Sequence, residues 1–264
     1  MNDEFEPNVP LPKNKPRAVV DLKMMQEELK QLEDPPLTAL EREMCSNRLS
    51  YTFFDCPCEE LAQKLLGKIL VRYLENGTIL KGRIVETEGY LGVIDKASHT
   101  YQNKVTPRNI PMYMPPGTIY VYMTYGMYHC FNISSQGEGC AVLIRAIEPL
   151  EGIECMTNHR TSKGSSVPKK PLKNFKLHEL CNGPSKLCIA YQLQRNHSKY
   201  SLCSWKGLWL ENSEIMNTEI VKCRRIGIDN YGEEWTNKPL RYYIYGNKAV
   251  SKRNRDAELL LGLS

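Results

Sequence analysis

The stretch RIVETEGYLG, residues 83–92, puts Glu86, Glu88 and Tyr90 at alternate positions. In a strand alternate side chains share a face, so two carboxylates and one phenol ring point the same way. At the edge of a cleft that trio could supply a general base beside a stacking ring. Taken alone, the two acids favour an ordinary solvated strand end, because a pair of carboxylates is costly to bury. His99 follows nine residues after Tyr90. A single histidine is commonly a hydrogen-bonded structural residue, but with Tyr90 and Tyr122 it could wall a slot for a planar ring.

A second stretch, GTIYVYMTYGMYHCFN (117–132), gathers Tyr120, Tyr122, Tyr125 and Tyr128 around Gly126. Tyr120 and Tyr128 are expected to pack in the core. Tyr125 falls at a turn, where its own sheet cannot cover the ring. No other motif competes for the chemistry: nothing resembles a P-loop, and GEGCAV is too short and misplaced for a dinucleotide fingerprint.

Several elements would position these groups. FFDCPCEELAQKLLGK reads as a helix capped by Asp55, with Leu61, Leu65 and Leu66 on its apolar face and Gly67 ending it. KILVRYL and ILKGRIVETEGYL flank Asn76-Gly77, a strong hairpin signal. TIYVYMT and MYHCFNIS form a second hairpin over 118–134 with Tyr125-Gly126 at its tip. AVLIRAIEP adds a strand, and PLEGIECMTNHR a helix starting at Pro149. Residues 159–178, with six basic and no acidic side chains, suggest a mobile basic loop. GPSKLCIAYQL suggests a helix opening at Gly183-Pro184-Ser185, and GLWLE, IVKCRRIGI and LRYYIY short strands. The pattern is α+β: one mixed domain, a curved and mostly antiparallel sheet, and flanking helices.

Residues 1–47, rich in Pro, Glu, Lys and Asn, read as a disordered tail with a transient helix in LKMMQEELKQLE, leaving 48–264 as the folded domain. The tail holds ten acidic and six basic groups, so the net charge of +5 conceals +9 on the rest of the chain. A basic body attracts polyanions, which makes nucleic acid a candidate partner, although a merely solvated surface has the same charge. No apolar run is long enough for a membrane span, and no secretory signal opens the chain. The ten cysteines show no C-x-x-C spacing and several sit in apolar runs, which points to reduced structural thiols, no metal, and the cytosol or nucleus. On a basic protein, a ring at a hairpin tip suits wedging between bases.

GRIVETEGYLG, DKASHTYQNKVTPRN, MYMPPGTIYVYMTYGMYHCFNISSQGEGCAVLIRAIEPLEG and LCNGPSKLCIA, in that order, resemble the alkyladenine (3-methyladenine, or methylpurine) DNA glycosylase family from about Arg48 to about Arg255. The resemblance implies a monofunctional glycosylase that flips damaged purines (3-methyladenine, 7-methylguanine, hypoxanthine, ethenoadenine) from double-stranded DNA and hydrolyses the N-glycosidic bond to begin base excision repair. It implies Glu88 as the base that activates water. Tyr90, His99 and Tyr122 become the base pocket, and Tyr125 the intercalating wedge on a protruding hairpin. Asn132 would stand where a guanine amino group would protrude, and Arg145 beside the flipped nucleotide's phosphate and the catalytic acid. A nuclear monomer without cofactor, metal or membrane is expected. The sequence departs from the family at Gly89, where alanine is common; glycine adds backbone freedom next to the base. Two other classes stay open: a catalytically silent nucleic-acid-binding module, and an interaction protein whose tyrosines form an interface.

Overall fold

The computed structural model describes residues 36–162, 175–213 and 218–262. β1 (Ile69–Tyr73) and β2 (Ile79–Tyr90) pair antiparallel, with Gly77 at φ +84° in the turn that Asn76-Gly77 predicts. β3 (Ile119–Thr124) and β4 (Tyr128–Ser134) form the second hairpin in register Tyr120–Asn132 and Tyr122–Cys130. Tyr125 takes φ +51° and Gly126 φ +69°. A non-glycine residue in that left-handed region is uncommon, so the tip spends conformational energy to hold Tyr125 where it is.

β5 (Ala141–Glu151), β6 (Leu208–Glu211), β7 (Ile220–Cys223) and β8 (Arg241–Ile244) complete an eight-stranded sheet among the described residues. Its main path runs β3-β4-β5-β2-β1-β6, every pairing antiparallel. β2 is the hinge of the design. One edge pairs with β5 from Lys81 to Tyr90; the other pairs with β1 up to Arg83 and with β8 from Glu86 to Glu88. Between those two stretches the β2–β5 register shifts at Ile84/Glu86 and Glu86/Thr87. Bulges bend a strand and re-aim its side chains, and here they fork the sheet where the two acids stand.

The apolar side chains fill both faces of that fork. Leu61, Leu65, Leu70, Leu80, Ile84, Val142 and Ile144 are fully buried in the main core, whereas Val85, Ala146, Val221 and Tyr243 make a second cluster beneath β7 and β8. Among the described residues seven helices pack around the sheet: α1 (Ala39–Met44), α2 (Tyr51–Phe54), α3 (Cys58–Lys64), α4 (Ile153–Ser162), α5 (Pro184–Ala190), α6 (Glu233–Asn237) and α7 (Arg255–Leu260). This is the single α+β domain with an open antiparallel sheet that the sequence predicts.

Details differ. Asp55 N-caps no helix; α3 starts at Cys58 behind Pro57, and Asp55 instead closes the C-terminal end of α2 and accepts a hydrogen bond from Gln136. Pro149 lies inside β5, and α4 begins only at Ile153, after Gly152 turns the chain at φ +76°. β7 stops at Cys223, before RRIGI. Tyr128 is 40% exposed, not core, because it pairs with Thr124 beside the hairpin's turn, beyond the reach of the core. α1 falls within 1–47: it carries a capping box between Thr38 and Glu41, and Glu41 pairs with Lys206. The helical patch LKMMQEELKQLE and most of the basic loop at 159–178 lie outside the described residues. No helix among the described residues is long and apolar enough to cross a membrane. All ten cysteines are free thiols, seven of them buried.

Candidate active site

Glu86 and Glu88 are both fully buried, which overturns the solvated reading of the pair. The cause is two cations, Arg145 and Arg241, and two backbone amides that sequence spacing does not bring near them. Glu86 accepts from Arg145 Nε at 3.1 Å, Arg241 at 2.8 Å and the Ser251 amide at 2.7 Å. Glu88 accepts from Arg145 at 3.2 Å, the Ile226 amide at 2.8 Å and the Tyr90 hydroxyl at 3.0 Å. Arg145, opposite the bulge on β5, therefore spans both acids. Burial opposes its charge, but Glu88 and Glu86 outweigh burial and keep the guanidinium above its ordinary pKa. Such a network stabilises little over an apolar core, yet breaking it is expensive, so its presence in a strand centre points to chemistry.

A cavity of about 340 Å³ opens in front of this network. Its walls include Tyr90, His99, Tyr122, Tyr125, Asn132 and Arg145, six of the seven residues picked out in the sequence. Glu88, the seventh, stands one layer behind, reached through Tyr90, Arg145 and Ile226, which do line the cavity. Burial, then the Glu88 charge, holds the Tyr90 phenol well above its usual pKa, so it stays a donor to the carboxylate.

The aromatic walls are fixed by their own partners. His99 and Tyr122 meet edge to face with centroids 4.6 Å apart, and Tyr120 and Tyr122 are 5.3 Å apart. His99 Nδ1 is 2.9 Å from the Tyr120 hydroxyl, so Tyr120, buried as expected, also orients the imidazole. Burial, followed by the cations Arg108 and Lys104, pushes His99 down to about 4, leaving the ring neutral at neutral pH. The loop that carries His99 is pinned by Asn109, which donates to the carbonyls of His99 and Lys104 and accepts from the Thr106 amide. Asn132 donates from Nδ2 to the Tyr120 carbonyl across the hairpin at 3.1 Å. Tyr125 is 88% exposed, with Met123, Met127 and Tyr128 exposed around it.

Four positions escape a reading of the sequence. Arg225 donates to both Asp95 oxygens and to the Gly89 carbonyl, with its guanidinium 4.6 Å from the Tyr90 ring centre. Asp95 in turn accepts from the Leu91 and Ala97 amides. The pair thus clamps the end of β2 and the start of the His99 loop, while Ile226, the next residue, holds Glu88. Arg108 lies 4.9 Å over the Tyr122 ring. Arg225 and Asp95 are 130 residues apart, and only the fold unites them. The freedom expected of Gly89 is used up: its amide donates to Leu240 and its carbonyl accepts from Arg225.

Fold and site together define an α+β protein whose forked antiparallel sheet sets an arginine-bound acid behind an aromatic slot, with an uncovered tyrosine at the slot's mouth. The chain belongs to the methylpurine-DNA glycosylase family, whose model matches residues 52–248. It is 48% identical over 216 residues to the DNA-3-methyladenine glycosylase of Mus musculus, covering 81% of this chain and 64% of that protein. Against the Homo sapiens protein of the same name identity is 47% over 213 residues, 80% of this chain and 70% of the relative. The putative 3-methyladenine DNA glycosylase of Alkaliphilus oremlandii is 45% identical over 208 residues, 78% of this chain and the whole of the relative. The chain thus spans a little under two thirds of the mouse relative's length.

Proposed function

We propose that this chain is a monofunctional DNA glycosylase that removes damaged purines, namely 3-methyladenine, 7-methylguanine, hypoxanthine and ethenoadenine, from duplex DNA to start base excision repair. The observation that carries the reading is Glu88: a fully buried carboxylate bound by Arg145 and the Ile226 amide, directly behind a slot of the aromatic kind that accepts a planar ring. A module that only binds a polyanion gains nothing from a buried acid, which disfavours the silent-binder alternative.

The N-glycosidic bond breaks through an oxocarbenium-like state, so the site needs an anion near the sugar and an activated water. Glu88 serves both: it takes the water's proton and its charge opposes the positive C1′. Arg145 fixes the carboxylate and reaches toward the nucleotide's phosphate. Tyr90, His99 and Tyr122 sandwich the extruded base; N-alkylated purines are cationic, and aromatic faces attract them. The neutral His99 adds no repelling charge. Tyr125 fills the gap the base leaves, which offsets the cost of unstacking. Residues 48–264 act as the catalytic unit, working as a monomer in the nucleus.

The direct test is a duplex bearing one hypoxanthine or ethenoadenine. Incubation should leave an alkali-labile abasic site and a free base, and an intact duplex would contradict the proposal.

A further inference from the structure

A second cavity, of about 1000 Å³, lies along the outer edge of β3 and meets the aromatic slot at Arg108 and Tyr122. Arg195 and Lys199 line it together with Arg108, and none of its lining residues is acidic. β3 is the end strand of the sheet path, and an open edge is a hazard that proteins cover. Here the cover is 198–200: the Ser198 hydroxyl donates to the Val121 carbonyl and accepts from the Val121 amide, while Lys199 and Tyr200 pair with Ile119. Lys199 holds φ +79° in doing so. The groove wall is therefore built by strand-like hydrogen bonds, which tie the backbone at Lys199 to the hairpin that carries Tyr125.

We propose that this groove seats the sugar–phosphate backbone of the same duplex whose base enters the slot, with Arg195 as a phosphate contact. The proposal rests on the glycosylase reading for its choice of occupant. Three features favour that occupant: cations without acids, a mixed polar and apolar lining suited to phosphates and sugars, and continuity with the slot through Tyr122 and Arg108. A duplex wedged at Tyr125 must continue past the hairpin, and the groove offers it a preformed positive track. Contacts of this kind position the duplex and carry no sequence information.

The test measures affinity for an undamaged duplex against salt, for the full chain and for Arg195→Gln and Arg195→Lys, each first checked for a wild-type melting curve. Each phosphate neutralised contributes about 0.9 to the slope of log affinity against log salt. Arg195→Gln should weaken binding and lose about one unit of slope, and Arg195→Lys should keep it. An Arg195→Gln slope equal to wild type would overturn the groove. The two proposals fail separately: a chain that excises lesions with an unchanged Arg195→Gln slope loses the groove and keeps the glycosylase, whereas a lost slope in a chain that excises nothing does the reverse.

Discussion

Arg225 holds Asp95 through two hydrogen bonds, and both side chains are completely buried. The same guanidinium covers the Tyr90 ring and binds the Gly89 carbonyl, so one ion pair sets the backbone on either side of Glu88's neighbour. Arg225→Met should cost roughly 3–5 kcal/mol of stability by stranding a buried carboxylate. In the pair Arg225→Met/Asp95→Leu much of that stability should return, because no buried charge is left unpaired, but the single-turnover excision rate should not, because Tyr90 and Ile226 lose their support. Denaturant melts and excision rates of both variants check this, and a double variant at wild-type rate would make the pair purely structural.

Tyr125→Ala should weaken capture of the flipped nucleotide, since nothing then fills the duplex. The ring is 88% exposed, so stability should change by less than about 0.5 kcal/mol. The loss should shrink when the lesion faces a mismatch, where unstacking costs less. Equal losses on matched and mismatched duplexes would count against the wedge.

His99 gives the protein an acid-side liability. Its folded pKa, pushed down to about 4 by burial and then by Arg108 and Lys104, lies below the usual value of 6.5. The unfolded chain therefore binds the proton first, so stability is complete above about pH 6.5 and falls as pH drops toward 4. His197, lowered to about 4 by burial and then by Arg72 and His129, acts in the same window. His99→Gln should flatten part of the decline, leaving the His197 share. Melting temperature against pH for both proteins is the check; superimposable slopes would contradict it.

Hairpin pairing was legible because Asn-Gly and alternating apolar residues are local signals, and so was the composition of the aromatic slot. The burial of Glu86 and Glu88 was not. Local chemistry favours solvent for two nearby acids, and what reverses it is Arg145, Arg241 and the 225–226 backbone, brought in by the β5 and β8 pairings and a loop more than 130 residues away. Asp55 shows the converse: a good capping residue was outbid because Pro57 starts the helix and Gln136 claims the carboxylate. The Arg225–Asp95 clamp had no signal beyond one acid in GVIDKAS and the second of two arginines in CRRIGI.

Asn132 is proposed to exclude guanine. Its amide nitrogen is committed to the Tyr120 carbonyl, so the side chain is held against the cavity wall and cannot swing aside at low cost. The 2-amino group of a guanine ring there would meet this side chain and leave a donor unpaired, a cost on the order of 1–3 kcal/mol that holds back neutral guanine, while cationic 7-methylguanine, a far better leaving group, tolerates it. Asn132→Ser should raise release of guanine relative to hypoxanthine. Both rates on matched duplexes decide it, and an unchanged ratio would return Asn132 to a purely structural role.

Glu88 is proposed to activate the attacking water. Glu88→Gln can keep the shape, because the amide oxygen still accepts from Ile226 and Arg145 while its nitrogen faces the Tyr90 hydroxyl. It cannot take the proton. The single-turnover rate of hypoxanthine excision should fall by at least about a hundredfold while lesion-duplex affinity is retained. Excision at the wild-type rate by a folded Glu88→Gln protein would contradict the account.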